Sequence, residues 1–256
     1  MLVDSHCHLN FPELADNMQA IRQLMHDSQV GHALCVSVTL DKFPEVLKLA
    51  ETYDNFYASV GVHPDYEDIA EPSVGELFRL SQHPKIVAIG ETGLDYFRLT
   101  GNLEWQRERF RTHIRAAILA NKPLIIHTRS AAEDTLRIMR EEGANQVGGV
   151  MHCFTESLDV ALEAISMGFY ISFSGIVTFK NATQLKEVAQ AIPLDKMLVE
   201  TDSPYLAPMP FRGKTNQPAY VKYVAQEIAN LRGISLDEVM QATTQNFFNL
   251  FKHAVN

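Results

Sequence analysis

Cysteine is scarce in this chain: Cys7, Cys35 and Cys153 make an odd number, with no Cys-x-x-Cys spacing. That pattern argues against a disulfide framework and for buried free thiols in a reducing compartment. Positive charge is also in short supply. Lys and Arg number 22 against 31 Asp and Glu, giving a net charge of −9. Broad electrostatic attraction to nucleic acid or to an anionic membrane is not expected. This counts against a non-specific nucleic-acid coat, but not against an enzyme whose positive charge comes from bound metal. No apolar run approaches the ~18 residues of a membrane span, and no basic segment followed by an apolar one opens the sequence. A soluble, cytoplasmic protein with no membrane association is the expectation. No low-complexity linker interrupts residues 1–256, and 46% of them are hydrophobic, enough for one large core in a single domain.

What is present is an alternation of short apolar runs with amphipathic stretches. Strands are expected at Leu2–Asp4, His32–Val38, Phe56–Val62, Ile86–Gly90, Pro123–His127, Gly149–Cys153, Phe169–Phe173 and Met197–Thr201. The runs are continuously apolar more than alternating, which suits a parallel sheet covered on its outer face. Helical spacing marks Leu14–Ser28, Phe43–Tyr53, Glu104–Ala120, Leu158–Met167 and Ala182–Ala191. Asp41 and Ser73 suit N-caps, and Gly143 and Gly168 suit the position after a helix end. Eight strands alternating with helices predict an α/β fold, a parallel eight-stranded (β/α)8 TIM barrel. A doubly wound open sheet is the competitor. The loop Ser203–Asn216 contains four Pro or Gly residues, and extra C-terminal helices follow, with Ser235 and Thr243 or Thr244 as caps.

In such barrels chemistry sits where the strands end. His6 and His8 close the first strand, and alternation puts both imidazoles on one side with Cys7 opposite. The other strand ends supply His63, Glu91 with Asp95 beyond it, His127 followed by Arg129, His152, and Glu200 with Asp202. Of ten histidines, five occupy these ends. His26, His32, His83, His113 and His253 read as surface or capping residues. His6, His8, Glu91, His127, His152 and Asp202 are more ligands than one tetrahedral ion takes, so two divalent cations bridged by one carboxylate are expected, with Glu91 the natural bridge. A pair of cations is the arrangement that activates water and clamps an in-line phosphoryl displacement.

The stretches Leu2–Asn10, Pro123–Ser130 and Leu198–Pro204 together resemble the TatD family of metal-dependent deoxyribonucleases. Gly61–Pro64, Gly90–Asp95, His152–Phe154 and Arg212–Pro218 are similar to that family too, so the likeness covers essentially the whole chain. The resemblance implies a (β/α)8 barrel, dependence on divalent metal and hydrolysis of phosphodiester bonds in DNA, as an exonuclease. It implies that His6, His8 and Asp202 hold one ion and His127 and His152 the other, with Glu91 joining them. His63 and Glu200 would then face the substrate.

Roles follow, with alternatives open. Asp202 is the candidate to orient or deprotonate the attacking water, and Glu200 a neighbouring carboxylate, a proton acceptor or a salt-bridged structural residue. His63 and Arg129 suit phosphate contacts; a loop hydrogen bond for His63, and a pair with Asp134 or Glu133 for Arg129, are the competing readings. Asp95 either orients a histidine or forms a turn. Arg212 and Lys214 are phosphate contacts or solvated charges, and Tyr96, Phe97 and Phe154 either stack on bases or pack. Arg107, Arg111 and Arg115 read as a solvated helix face. Candidate metals are Mg, Mn or Zn. The substrate expected is DNA, single-stranded or with frayed ends, and no obligate protein partner is implied. The alternative is hydrolysis of an ester or amide at the same site. No lysine ends the fourth strand, which removes the carbamylated-lysine bridge of some cyclic amidases. A metal-binding protein without catalysis is the third reading.

Overall fold

The structure is a computed structural model that describes residues 1–97 and 99–254. Its elements run β1 (Leu2–Cys7), α1 (Pro12–Ala15), α2 (Met18–Asp27), β2 (Val30–Cys35), α3 (Phe43–Thr52), β3 (Phe56–Val60), α4 (Val74–Ser81), β4 (Ile86–Asp95), α5 (Glu104–Ala120) and β5 (Leu124–Arg129). They continue as α6 (Ala132–Glu141), β6 (Gly149–Met151), α7 (Leu158–Ser166), β7 (Phe169–Phe173), α8 (Thr183–Ala191), β8 (Met197–Val199), α9 (Val221–Arg232) and α10 (Leu236–Leu250). The eight strands lie in chain order in one parallel sheet. Its edges meet where the amide of Asp202 donates to the His6 carbonyl at 2.9 Å and that of His8 donates to Ser203 at 2.8 Å. The result is a nearly closed (β/α)8 barrel.

Two apolar layers hold it. Outward-facing strand residues such as Ala58, Ile86, Leu124 and Ile171 pack under the helices with Phe110, Ile114 and Val188. Inside, Val3, Leu34, Tyr57, Val87, Ile125, Val150 and Leu198 meet Phe247 and Phe251 from the end of the chain. α10 therefore seals the end where the strands begin. Thr244 and Asn246 fix it there by donating to the carbonyls of Met1 and Met197, at 2.7 and 2.8 Å. The opposite mouth, where the strands end, is left for polar side chains.

β1 and β4 run further than expected, to Cys7 and Asp95, and β8 stops at Val199. Pairing decides these lengths: Gly93, Leu94 and Asp95 find partners in His127, Thr128 and Arg129 of β5. The helix expected over Leu14–Ser28 is two, because the chain turns between Ala15 and Met18. Ser73 caps α4 by accepting from the Glu76 amide at 3.1 Å, and Gly143 and Gly168 follow helix ends at φ 71° and 87°. Asp41 does not cap α3, whose first turn is preceded by Lys42. Ser235 caps α10 in a capping box, whereas Thr243 and Thr244 lie inside that helix. There the Thr243 hydroxyl bonds back to the Val239 carbonyl at 2.8 Å.

Candidate metal centre

His6, Glu91 and His127 stand within strands; His8, His63, His152 and Asp202 lie just beyond strand ends. Two glycines let these strands come close enough for the side chains to meet. A Cβ on Gly61 would lie 2.5 Å from the backbone of Gly90, and one on Gly93, at φ +136°, would strike the carbonyl oxygen of His127. Only glycine tolerates both the conformation and the approach at Gly93.

All six expected ligands meet at this mouth, and Glu91 is their centre. Its two oxygens face different neighbours. Oε2 is 3.2 Å from His6 Nε2 and 3.9 Å from His8 Nε2. Oε1 is 2.7 Å from His152 Nε2, 3.2 Å from His127 Nδ1 and 3.3 Å from His63 Nε2. Asp202 Oδ1 lies on the first side, 3.3 Å from His8 Nε2 and 3.7 Å from His6 Nε2. Three overlapping sets are compact enough to hold a cation: His6, His8 and Glu91; His6, His152 and Asp202; and His63, Glu91 and His127. His63 thus clusters with Glu91 and His127, closer in than a purely outward-facing residue.

The outer ring nitrogens explain which lone pairs point inward. His8 Nδ1 is 3.2 Å from the Val36 carbonyl, His127 Nε2 3.0 Å from Asp95 Oδ2, and His152 Nδ1 3.2 Å from Glu200 Oε1. Each acceptor fixes a proton on the outer nitrogen and turns the other nitrogen's lone pair toward Glu91, which is how imidazoles are held for metal ligation. The Nε2 of His152 is buried and aimed inward at Glu91 Oε1. A buried donor set of this kind, imidazole nitrogens interleaved with two carboxylates, fits divalent cations.

Electrostatics point the same way. Burial disfavours the Glu91 charge, but His152, His63 and His6 outweigh it and hold the carboxyl well below its ordinary range. Asp202 is lowered likewise, its burial outweighed by the His8 hydrogen bond. Burial pulls down His152, His127 and His8, yet their carboxylate partners win and raise all three. His6 moves down, through burial and then His152. These directions favour anionic carboxylates beside imidazoles, and a cation bound there would compete with the imidazole protons.

Around this core, Glu200 is fully buried and accepts from the Cys153 amide at 2.8 Å as well as contacting His152. It sits on the outer Nδ1 of His152, whereas Asp202, beyond the strand end at φ 56°, reaches His6 and His8. Asp95 bonds a histidine and also accepts from the Phe97 amide at 2.9 Å, so it does both jobs. Arg129 lies over the Phe97 ring at 3.9 Å, while Asp134 is engaged by Arg137 and the Tyr96 hydroxyl. Tyr96 is thereby tied down and Phe154 is buried, leaving Phe97 exposed. Arg212 covers Phe179 at 4.5 Å, and Lys214 lies 6.0 Å from the centre of the Phe211 ring. Arg111 and Arg115 are not simply solvated; both pair with Glu142 of the segment after α6. His32 and His113 are buried instead of surface-lying, His113 because both ring nitrogens find backbone partners.

Sequence reasoning passed over several supporting residues. Asp4, whose carboxyl burial pushes up to about 8, accepts from the Thr201 amide and hydroxyl at 2.8 and 2.6 Å, anchoring the residue before Asp202. Asn216 donates to the carbonyls of Thr201 and Tyr205 at 2.8 and 2.6 Å, pinning the long loop. Spacing carries no signal for such contacts. Among rim aromatics, Phe11 stacks on His8 at 4.8 Å, with Tyr205 edge-on to it at 6.1 Å, and Tyr66 stands edge-on to His63 at 6.3 Å.

The chain is similar to known proteins along nearly its whole length. The family described as "TatD related DNase" matches residues 3–252. YabD of Bacillus subtilis (strain 168), named an uncharacterized metal-dependent hydrolase, is 44% identical over 253 residues, covering 98% of this chain and 99% of its own. YcfH of Escherichia coli (strain K12), named likewise, is 46% identical over 254 residues, covering 98% and 95%. The crystal structure of YjjV, a TatD homologue from Escherichia coli K12, superposes with a TM-score of 0.91 at 30% identity, covering 98% of each chain. With a family match across nearly its full length and such relatives at both levels, this chain belongs to the TatD family of metal-dependent hydrolases.

Proposed function

We propose that the protein is a deoxyribonuclease that hydrolyses phosphodiester bonds, acting as an exonuclease on single-stranded or frayed DNA ends. The carrying observation is Glu91, whose two oxygens face separate groups of imidazoles. On this reading His6, His8 and Asp202 hold one divalent cation and His127 and His152 a second, with Glu91 between them. Mg, Mn or Zn are the candidates, imidazole favouring the last two. Bound there, such cations supply Lewis acidity that lowers the pKa of water and neutralises charge on the phosphoryl oxygens.

The remaining chemistry belongs to the side chains. Asp202, held ionised by His8 and more exposed than Glu91, orients and deprotonates the attacking water. Glu200 keeps the inward nitrogen of His152 in line by accepting from its outer one. His63, partly exposed at the opening, and Arg129 on the rim contact phosphate oxygens. Four aromatics at the mouth support a strand whose bases are unpaired: Phe11, half-buried, and Tyr66, Phe97 and Tyr205, exposed by 39%, 62% and 53%. Base stacking on such rings contributes ~1–3 kcal/mol each and needs bases freed from a duplex. A net charge of −9 also favours short ends over long duplexes. The family description, a DNase, agrees. Three free cysteines fit a reducing cytoplasm. No described helix is long and apolar enough to cross a membrane.

End-labelled single-stranded DNA incubated with Mg2+, Mn2+ or Zn2+ is expected to yield mononucleotides, and EDTA to abolish them. Intact DNA under all three metals, together with turnover of an ester or amide panel, would overturn the nuclease reading.

A further inference from the structure

Three polar side chains of α5, Gln106, Arg109 and His113, are buried at 0%, 2% and 0% exposure. Their spacing puts them on one face, the face turned to the barrel. Further along the same helix the inward residues become apolar: Ile114, Ala116 and Ala117. A helix that only covered a strand would carry apolar residues throughout, since a buried polar group costs free energy unless it is bonded. Here each one is bonded, and the partners are backbone atoms of two segments that carry site residues.

His113 Nε2 accepts from the Val62 amide at 3.0 Å, with its Nδ1 proton given to the Arg109 carbonyl at 2.8 Å. Arg109 donates to the His63 carbonyl at 3.1 Å, and Glu71 holds its guanidinium at 2.5 and 2.8 Å. Gln106 spans both segments. Its Nε2 donates to the carbonyls of Pro64 and Asp95, each at 3.2 Å, and its Oε1 accepts from the Asp95 amide at 2.9 Å. One segment presents His63 to Glu91; the other presents Asp95 to His127, whose Nδ1 faces the same Glu91 oxygen. Gly61 and Gly93 precede the two segments in the chain and have no side chains of their own to anchor them.

We propose that the buried polar stripe of α5, with Gln106 at its head, is a positioning device that sets His63 and the Asp95–His127 pair against Oε1 of Glu91. This rests on reading those side chains as a cation site, and on nothing about the substrate. Gln106, Arg109 and His113 touch neither cation nor substrate; they act through the backbone.

Cobalt titration of the metal-free full chain, followed by visible absorption, tests this without any assay of turnover. Gln106→Met keeps length and burial but removes all three bonds; Phe110→Leu, on the same helix, perturbs packing alone. Gln106→Met is expected to weaken cobalt binding by ~10–100-fold and to change the ligand-field bands. Phe110→Leu, even if it lowers the unfolding midpoint equally, should bind cobalt within two-fold of the unsubstituted chain. Should Gln106→Met fail to fold, Arg109→Lys, which loses the guanidinium fork, is expected to show a smaller shift of the same sign. Unchanged affinity and spectrum in the folded variant would overturn the proposal. Normal cobalt effects with no DNA cleavage would instead overturn only the nuclease reading.

Discussion

Glu91 is almost wholly buried, yet it is held ionised by imidazoles on both sides. Its replacement by glutamine keeps the volume and removes the charge. We expect Glu91→Gln to lose roughly 10³-fold or more in turnover and to retain less metal after dialysis, with the far-ultraviolet circular dichroism of the barrel unchanged. Full metal content and activity would remove it from the centre. At this scale the sequence was readable wherever a side chain's direction follows from the period of a strand. His6 and His8 converge, their Nε2 atoms 3.3 Å apart, because β1 continues through Cys7. The same rule, which would put Glu200 and Asp202 on one face, does not hold for them. β8 ends at Val199 and Asp202 turns left-handed, so Glu200 bonds the outer nitrogen of His152 while Asp202 joins His6 and His8 on the inner side.

Elements were legible to the extent that burial dictates their pattern. The eight apolar runs are eight strands, since a strand covered on both faces must be apolar nearly throughout. Their ends were less so, and β4 shows why. Gly90–Glu91–Thr92–Gly93 has the composition of a turn, yet the strand carries on through it, because after an irregularity at Gly90 and Glu91 the ladder with β5 resumes at Thr92 and Gly93. The cost of that ladder is a residue at φ +136° lying against a carbonyl, where a methyl group has no room. We therefore expect Gly93→Ala to lower stability by ~3 kcal/mol, combining backbone strain with overpacking. Urea unfolding measures this, and Gly75→Ala, in α4 with open space around its Cα, is the control that should not lose stability. Comparable losses in both would mean that the close approach of β4 and β5 is not what constrains the glycine. Caps were decided by a similar competition. Ser235 has a Glu three residues on to complete a box, whereas Thr243 lies where the helix continues and its hydroxyl bonds within it.

Over the whole molecule, the sharp contrast is between two populations of histidine that respond oppositely to acid. His8, His127 and His152, which face carboxylates at the mouth, are raised, so their protons favour the fold as pH falls. His113 is the reverse: burial, only partly offset by the Arg109 carbonyl, lowers it to about 4. Its Nε2 must accept from the Val62 amide, which a protonated ring cannot do. The unfolded chain takes up this proton near pH 6.5 and the folded chain near pH 4, so between those values the unfolded state binds more protons. Stability from His113 is thus complete above pH 6.5 and declines as pH drops toward 4. At pH 5 the loss comes to about 2 kcal/mol, from ~1.4 kcal/mol per pKa unit. His113→Gln keeps an acceptor for Val62 and has no proton to gain. Urea unfolding of the two proteins at pH 7 and pH 5 should then find the unsubstituted chain losing about 2 kcal/mol more than the variant across that interval. The subtraction cancels the mouth histidines, which both proteins share. An identical pH slope would mean that acid reaches the protein through that mouth alone, and that the bond from Val62 to α5 bears none of the strain.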